Sequence, residues 1–107
     1  MNYDSLRWQR KRAKILRRDK YMCQLSKRYG RFEQAQVVHH IFPAADYPEY
    51  QWEDWNLISI TTEMHNKLHD RNTDKLTRMG MDLMEKTARK NGITISAEKP
   101  TIPPPQK

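Results

Sequence analysis

The chain has 107 residues, 36% of them apolar and 31% charged, and Lys plus Arg outnumber Asp plus Glu 20 to 13 for a formal net charge of +7. That length fits one small domain and is too short for a doubly wound sheet or a barrel enzyme. No apolar run approaches the ~18 residues of a membrane span, the charged N-terminus has no apolar signal region, and the lone Cys23 excludes an internal disulfide or a cysteine-caged zinc site, so the expectation is an intracellular, cytoplasmic, basic domain with a modest core and no membrane partner.

The charge is concentrated at one end. Residues 1–31 hold eleven Lys/Arg against Asp4 and Asp19, a net of +9, whereas the other 76 residues net −2. A field this lopsided favours a polyanionic partner, although a helix kept basic for solubility would carry the same charges. The first element is a helix over residues 5–18, capped by Asp4 or Ser5, with Trp8, Ile15 and Leu16 as a narrow apolar stripe among cations. Residues 21–35 read as a short hairpin or knuckle turning at Tyr29-Gly30, and the β-branched run 36–41 as a strand. Pro43 and Pro48 hold residues 42–55 in an irregular loop, in which Trp52 and Trp55 read as core plugs. Its acids Asp46, Glu49, Glu53 and Asp54 would turn it away from a phosphate backbone or toward a protein. Leu57-Ile58-Ser59-Ile60 is a second strand, and Thr61 or Thr62 starts a helix to about Asp70. Asn72, Thr73 or Asp74 starts a last helix, placed at 74–90, which stops at Asn91-Gly92 and uses its methionines as core filler. The Pro-rich tail 99–107 has no means of burying itself and is expected to be extended or disordered.

All four histidines lie within 31 residues. His65 and His69 are four apart on one helix and share a face, and two neutral imidazoles at that spacing can hold one metal ion. Either could equally be an ordinary surface residue. His39 and His40 are adjacent on a strand and point to opposite faces, so a regular strand lets only one of them join the pair. The other would be left unligated and open to solvent, with a ring suited to general-base work near neutral pH.

Val-His-His-Ile at 38–41, Asn-Leu-Ile-Ser-Ile at 56–60 and His-Asn-Lys-Leu-His at 65–69 together resemble the motif of the HNH endonucleases. The lead-in around Trp8, Lys11-Arg12 and 15–23 is similar to that of small phage and bacterial members. The resemblance covers about residues 5–71 and implies an α+β fold built on a ββα-metal motif, a hairpin and helix over 36–70 clasping one divalent ion. Flanked by the basic helix and the last helix, this would be a single domain over 1–98. By the same resemblance His39 and His65 are metal ligands, His40 is the general base, and Asn56 braces the loop and orients that base. His69 matches a further histidine of colicin-type members, there a ligand or a phosphate contact. Many members also carry a structural zinc on two Cys-x-x-Cys knuckles; Cys23, Ser26, Thr61 and Met64 stand at those positions, so structural zinc is not expected and Cys23 reads as a buried apolar residue.

The implied activity is metal-dependent hydrolysis of phosphodiester bonds in DNA, by nicking or double-strand cleavage, with one divalent ion, Mg²⁺, Mn²⁺, Ni²⁺ or Zn²⁺. Candidate nucleic-acid contacts are Arg7, Arg10, Lys11, Lys14, Arg17 and Arg18 on the first helix, and Lys67 and Arg71 beside the helical histidines. The resemblance also admits a phage setting with a terminase-type packaging partner. The alternative is a non-catalytic nucleic-acid-binding or packaging accessory domain that keeps the same fold.

Overall fold

Ser5 starts the first helix in the computed structural model, which describes residues 1–95; the tail 99–107 and the end of the expected domain, 96–98, lie outside the described residues. The Ser5 hydroxyl accepts from Trp8 N at 3.1 Å, and helix α1 then runs Leu6–Arg18, burying the Trp8, Ile15 and Leu16 stripe. It stops at Asp19, after which Lys20 and Tyr21 both take left-handed backbone (φ 56° and 60°). The turn is anchored by charge. Arg18 binds the Asp19 carboxylate and donates to the carbonyls of Asp54 and Leu57 at 2.7 Å, while Asp19 accepts from Ser59 N at 3.0 Å. These contacts satisfy backbone groups on the outer edge of the second strand and fix α1 across the sheet.

The 21–35 segment is a knuckle with a helix inside it. Its ends pair through an antiparallel bridge between Met22 and Gln34, flanked by Cys23 N to Glu33 O at 2.7 Å and Ala35 N to Tyr21 O at 2.8 Å. Between them lies α2, Gln24–Arg28, followed by Gly30 at φ 76°. A helix of five residues carries no measurable periodicity, so the sequence shows the turn and hides the helix.

Strands β1, Val37–His40, and β2, Leu57–Ile60, form one antiparallel hairpin in the register Val37↔Ile60, Val38↔Ser59, His39↔Ile58, His40↔Leu57. The long connection between them is packed with aromatic rings. Phe42 meets Tyr47, Tyr50 and Trp55 edge-on at 5.0–5.8 Å. Trp55 thus joins the main core, and half-buried Trp52 packs against the smaller cluster around Trp8.

Helix α3, Thr62–Leu68, is capped by the Thr61 hydroxyl, and α4 runs Arg78–Lys90. The last helix therefore begins four residues later than the expected 74. Asp74 sits at φ 57°, His69 bridges to Leu76, and Thr77 N donates to Leu68 O at 2.9 Å before the Thr77 hydroxyl caps Gly80 N. A tight αL turn and this strand-like pairing take the residues that local capping signals would have placed in a helix. Met64 and Met84 fill the core, and Met79 and Met81 border it. The result is an α+β fold, a hairpin backed by α3 and α4 on one side and by α1 on the other. Among the described residues no helix is long and apolar enough to cross a membrane.

Candidate metal centre

The hairpin brings His39 to the side of the sheet that carries α3. His65 comes from the middle of α3 and His69 from its C-terminal cap, where the backbone has already turned extended. Their ring centroids are 5.4 Å (His39–His65), 5.1 Å (His39–His69) and 5.1 Å (His65–His69) apart, and one nitrogen from each lies within 4.8 Å of the others. His39 Nε2 and His69 Nδ1 are buried without a hydrogen-bond partner among the described residues. Buried ring nitrogens are rarely left so, and a shared cation is one way to satisfy them. Burial lowers all three imidazole pKa values, farthest for His39, and the neighbouring rings lower His39 and His65 further. All three are then neutral near pH 7 with lone pairs available, which fits a divalent ion of the borderline type.

His40 points to the opposite face, as the alternation of a strand requires. Its ring stacks on Trp8 (centroids 5.1 Å, planes 20° apart), with Tyr3 edge-on at 6.1 Å. Nε2 lies 3.0 Å from the Gln51 carbonyl oxygen. A carbonyl only accepts, so this nitrogen carries the proton and Nδ1 holds the lone pair. Burial moves the His40 pKa down, the Gln51 carbonyl opposes that, and the N-terminal ammonium adds to it. Contrary to the expected solvent-open ring, His40 is only 7% exposed, and it lines the cavity it shares with the other three histidines. That cavity has a volume of about 560 Å³ and is bordered also by Tyr3, Arg71 and Asp74.

Asn56 has no solvent exposure. Its Oδ1 accepts from Phe42 N at 2.6 Å, and its Nδ2 donates to the carbonyls of Phe42 and Tyr50 at 3.1 Å. It therefore ties the residue two beyond His40 to the residue preceding Gln51, and reaches the His40 ring only through that loop. Gln51 was not legible in the sequence, because it acts through a backbone carbonyl. Tyr3 and Asp74 lie outside the histidine and asparagine motif, and nothing local in the sequence marks either as a site residue. The loop 42–55 does not turn wholly away from the site, since Ala44, Ala45 and Asp46 line the cavity.

The expected nucleic-acid contacts divide by environment. Lys11 and Lys14 both bind the Asp54 carboxylate, at 2.6 and 2.8 Å, and hold its pKa down to about 2. Arg18 is engaged at the α1 turn, and the Arg7 guanidinium lies 3.8 Å over the Trp52 ring. Arg10 and Arg17 form no ion pair among the described residues, Lys67 pairs loosely with Glu63 at 3.5 Å, and Arg71 faces the cavity. At the knuckle, Cys23 and Ser26 are fully buried and Met64 nearly so, while Thr61 uses its hydroxyl as the α3 cap. Burial pushes the Cys23 thiol up, but Ser26 and the backbone N–H groups of Ser26, Thr61 and Leu25 bring it net below its usual value.

No protein-family model and no curated protein matches the chain. Among solved structures, the crystal structure of an HNH endonuclease from the deep-sea thermophilic bacteriophage GVE2, with a manganese ion, matches 60% of this chain and 70% of that one, at 31% sequence identity and a TM-score of 0.58. A hairpin and helix that gather three imidazoles, in a chain this similar over most of that enzyme's length, leave one assignment: the chain belongs to the HNH endonuclease family.

Proposed function

We propose that the chain is a metal-dependent endonuclease that hydrolyses phosphodiester bonds in DNA. The observation that carries the reading is the division of one cavity between three convergent, neutral histidines and a fourth, His40, held apart from them. His39, His65 and His69 would hold the ion. When bound, a divalent cation there supplies Lewis-acid stabilisation of charge on the phosphate and the leaving oxygen. His40 Nδ1 accepts a proton from the attacking water, and the Gln51 carbonyl keeps the opposite nitrogen protonated and the ring aimed. Asn56 fixes the loop that carries Gln51, and Arg71 binds the substrate phosphate from the cavity wall. Arg10 and Arg17, with Arg7 at the edge of Trp52, give the duplex backbone a sequence-independent hold, and Lys67 adds to it beside α3. Lys11, Lys14 and Arg18 contribute through the field of α1 while bound to protein groups.

The similar phage enzyme supports a phage setting, and a cytoplasmic site of action with a terminase-type packaging partner belongs to the same reading. The slight exposure of His40 favours a second reading, a DNA-binding domain of this fold that does not cut. Plasmid nicking with Mg²⁺, Mn²⁺, Ni²⁺ or Zn²⁺ against a chelator control separates the two. His40→Ala should lose cleavage by about 10²–10⁴-fold while keeping the parental metal affinity measured by calorimetry. His65→Ala should bind the ion more weakly. Parental cleavage by His40→Ala would remove the proposed base.

A further inference from the structure

A second concave surface shares no lining residue with the metal cavity. One hollow, of about 210 Å³, lies between α2 and α4, with Tyr29 and Arg28 at its rim and Leu25, Met79 and Leu83 in its floor. It adjoins a larger one of about 390 Å³, which runs over Ile58 to Trp55 and ends near Lys90 and Asn91. Arg28, Leu83 and Lys86 line both, so the two form one groove, with Tyr29 on the lining of the smaller hollow and Trp55 on that of the larger. Tyr29 is 69% exposed, far more than a residue needed for packing would be.

The charge of this groove is one-sided. Its two acids are already neutralised, Asp19 by Arg18 and Asp82 by Arg78 at 3.2 Å. Its cations Arg28, Lys86 and Lys90 form no ion pair among the described residues. An apolar floor, cations free to meet phosphates and an exposed aromatic ring are the parts from which single-strand sites are built, because only an unpaired strand offers its base faces for stacking. A duplex offers edges and backbone, for which a groove floored by leucines has no use.

We infer that the groove between α2 and α4 is a second nucleic-acid site, which takes an unpaired DNA strand with a base against Tyr29 and phosphates on Arg28, Lys86 and Lys90. The choice of DNA rests on the endonuclease reading. The groove itself stands on different residues, so the chain would hold a strand there whether or not it cuts.

The test is fluorescence anisotropy of the whole chain, in chelator so that no cleavage occurs, with a labelled mixed-sequence single strand of about 12 nucleotides and the same sequence as a blunt duplex. Tyr29→Ser should weaken single-strand binding by about 5- to 150-fold, the range for loss of one stacked base, and leave duplex binding within about twofold. Arg28→Gln/Lys86→Gln/Lys90→Gln should lower the slope of log affinity against log salt for the single strand by about 2, three phosphate contacts at ~0.7 each. All four positions are exposed, so each variant should keep the fold, which circular dichroism checks. Single-strand affinity unchanged in Tyr29→Ser overturns the proposal. So does Tyr29-dependent binding of a glutamate-rich peptide with no such dependence for the strand, which would make the groove a protein-docking surface. A failed nicking assay bears on the histidines alone.

Discussion

Asn56 makes three hydrogen bonds from a side chain that water does not reach. Removing it exposes no polar group to solvent; it strands the Phe42 N–H and the carbonyls of Phe42 and Tyr50 inside the protein. Each stranded group costs on the order of 1–3 kcal/mol, so Asn56→Ala should destabilise the fold by about 2–4 kcal/mol after partial relaxation. Asn56→Asp is the sharper variant. It preserves size and the acceptor toward Phe42 N, but turns an oxygen toward two carbonyl oxygens, and should be no more stable than the alanine variant at neutral pH. Urea unfolding measures both, and an aspartate variant as stable as the parent would show that the two Nδ2 bonds contribute nothing. Cleavage should fall with the loop that holds Gln51, and by less than in His40→Ala, since Asn56 does not touch the reacting atoms.

At the scale of elements, the packing of α3 on α4 passes through Gly80, where a Cβ would collide with the Leu68 carbonyl oxygen. Alanine is the better helix former by about 1 kcal/mol. The obstacle is backbone, which cannot swing aside as a side chain would, and overpacking of this kind costs roughly 1–3 kcal/mol. The second effect wins, so Gly80→Ala should lower the melting temperature; a rise would mean that α3 slides freely on α4. That junction also shows what a sequence can and cannot say. Helix α1 and strand β1 were readable, one from the Trp8–Ile15–Leu16 stripe and the other from the β-branched run over 36–41. The start of α4 was not, because Asn72, Thr73, Asp74 and Thr77 all have capping side chains and only the Leu68–Thr77 hydrogen bond selects among them. The same limit applies at the site. The spacing of His65 and His69 announces that their rings meet, although α3 ends at Leu68 rather than near Asp70 and His69 has already left the helix. The capture of Lys11 and Lys14 by Asp54, some forty residues away, is a tertiary event with no local trace.

For the molecule as a whole, the histidines link fold, protons and metal. Burial holds His39, His40, His65 and His69 below the ordinary value of 6.5, so the folded chain refuses protons that the unfolded chain accepts. Stability from this source is fully present above about pH 6.5 and is lost progressively as the pH falls below it, because protonation then favours the unfolded state. In chelator the melting temperature should therefore be level from about pH 8 to 7 and drop toward pH 5, and replacing His39 with Gln should flatten that drop. A divalent ion acts on the same equilibrium from the other side. Bound to His39, His65 and His69 it would clamp β1 to α3, and at 100 times its dissociation constant it adds about 2.7 kcal/mol. For a domain of this size that is a rise on the order of 10–20 °C. The rise should shrink as the pH falls, since protons compete for the same nitrogens, and His65→Ala should abolish most of it. Calorimetric scans of parent and His65→Ala with and without Mn²⁺ at pH 7.5 and 5.5 test the coupling. An equal rise in the two proteins would place the ion somewhere other than the three histidines, and a rise indifferent to pH would mean that its ligands are not imidazoles.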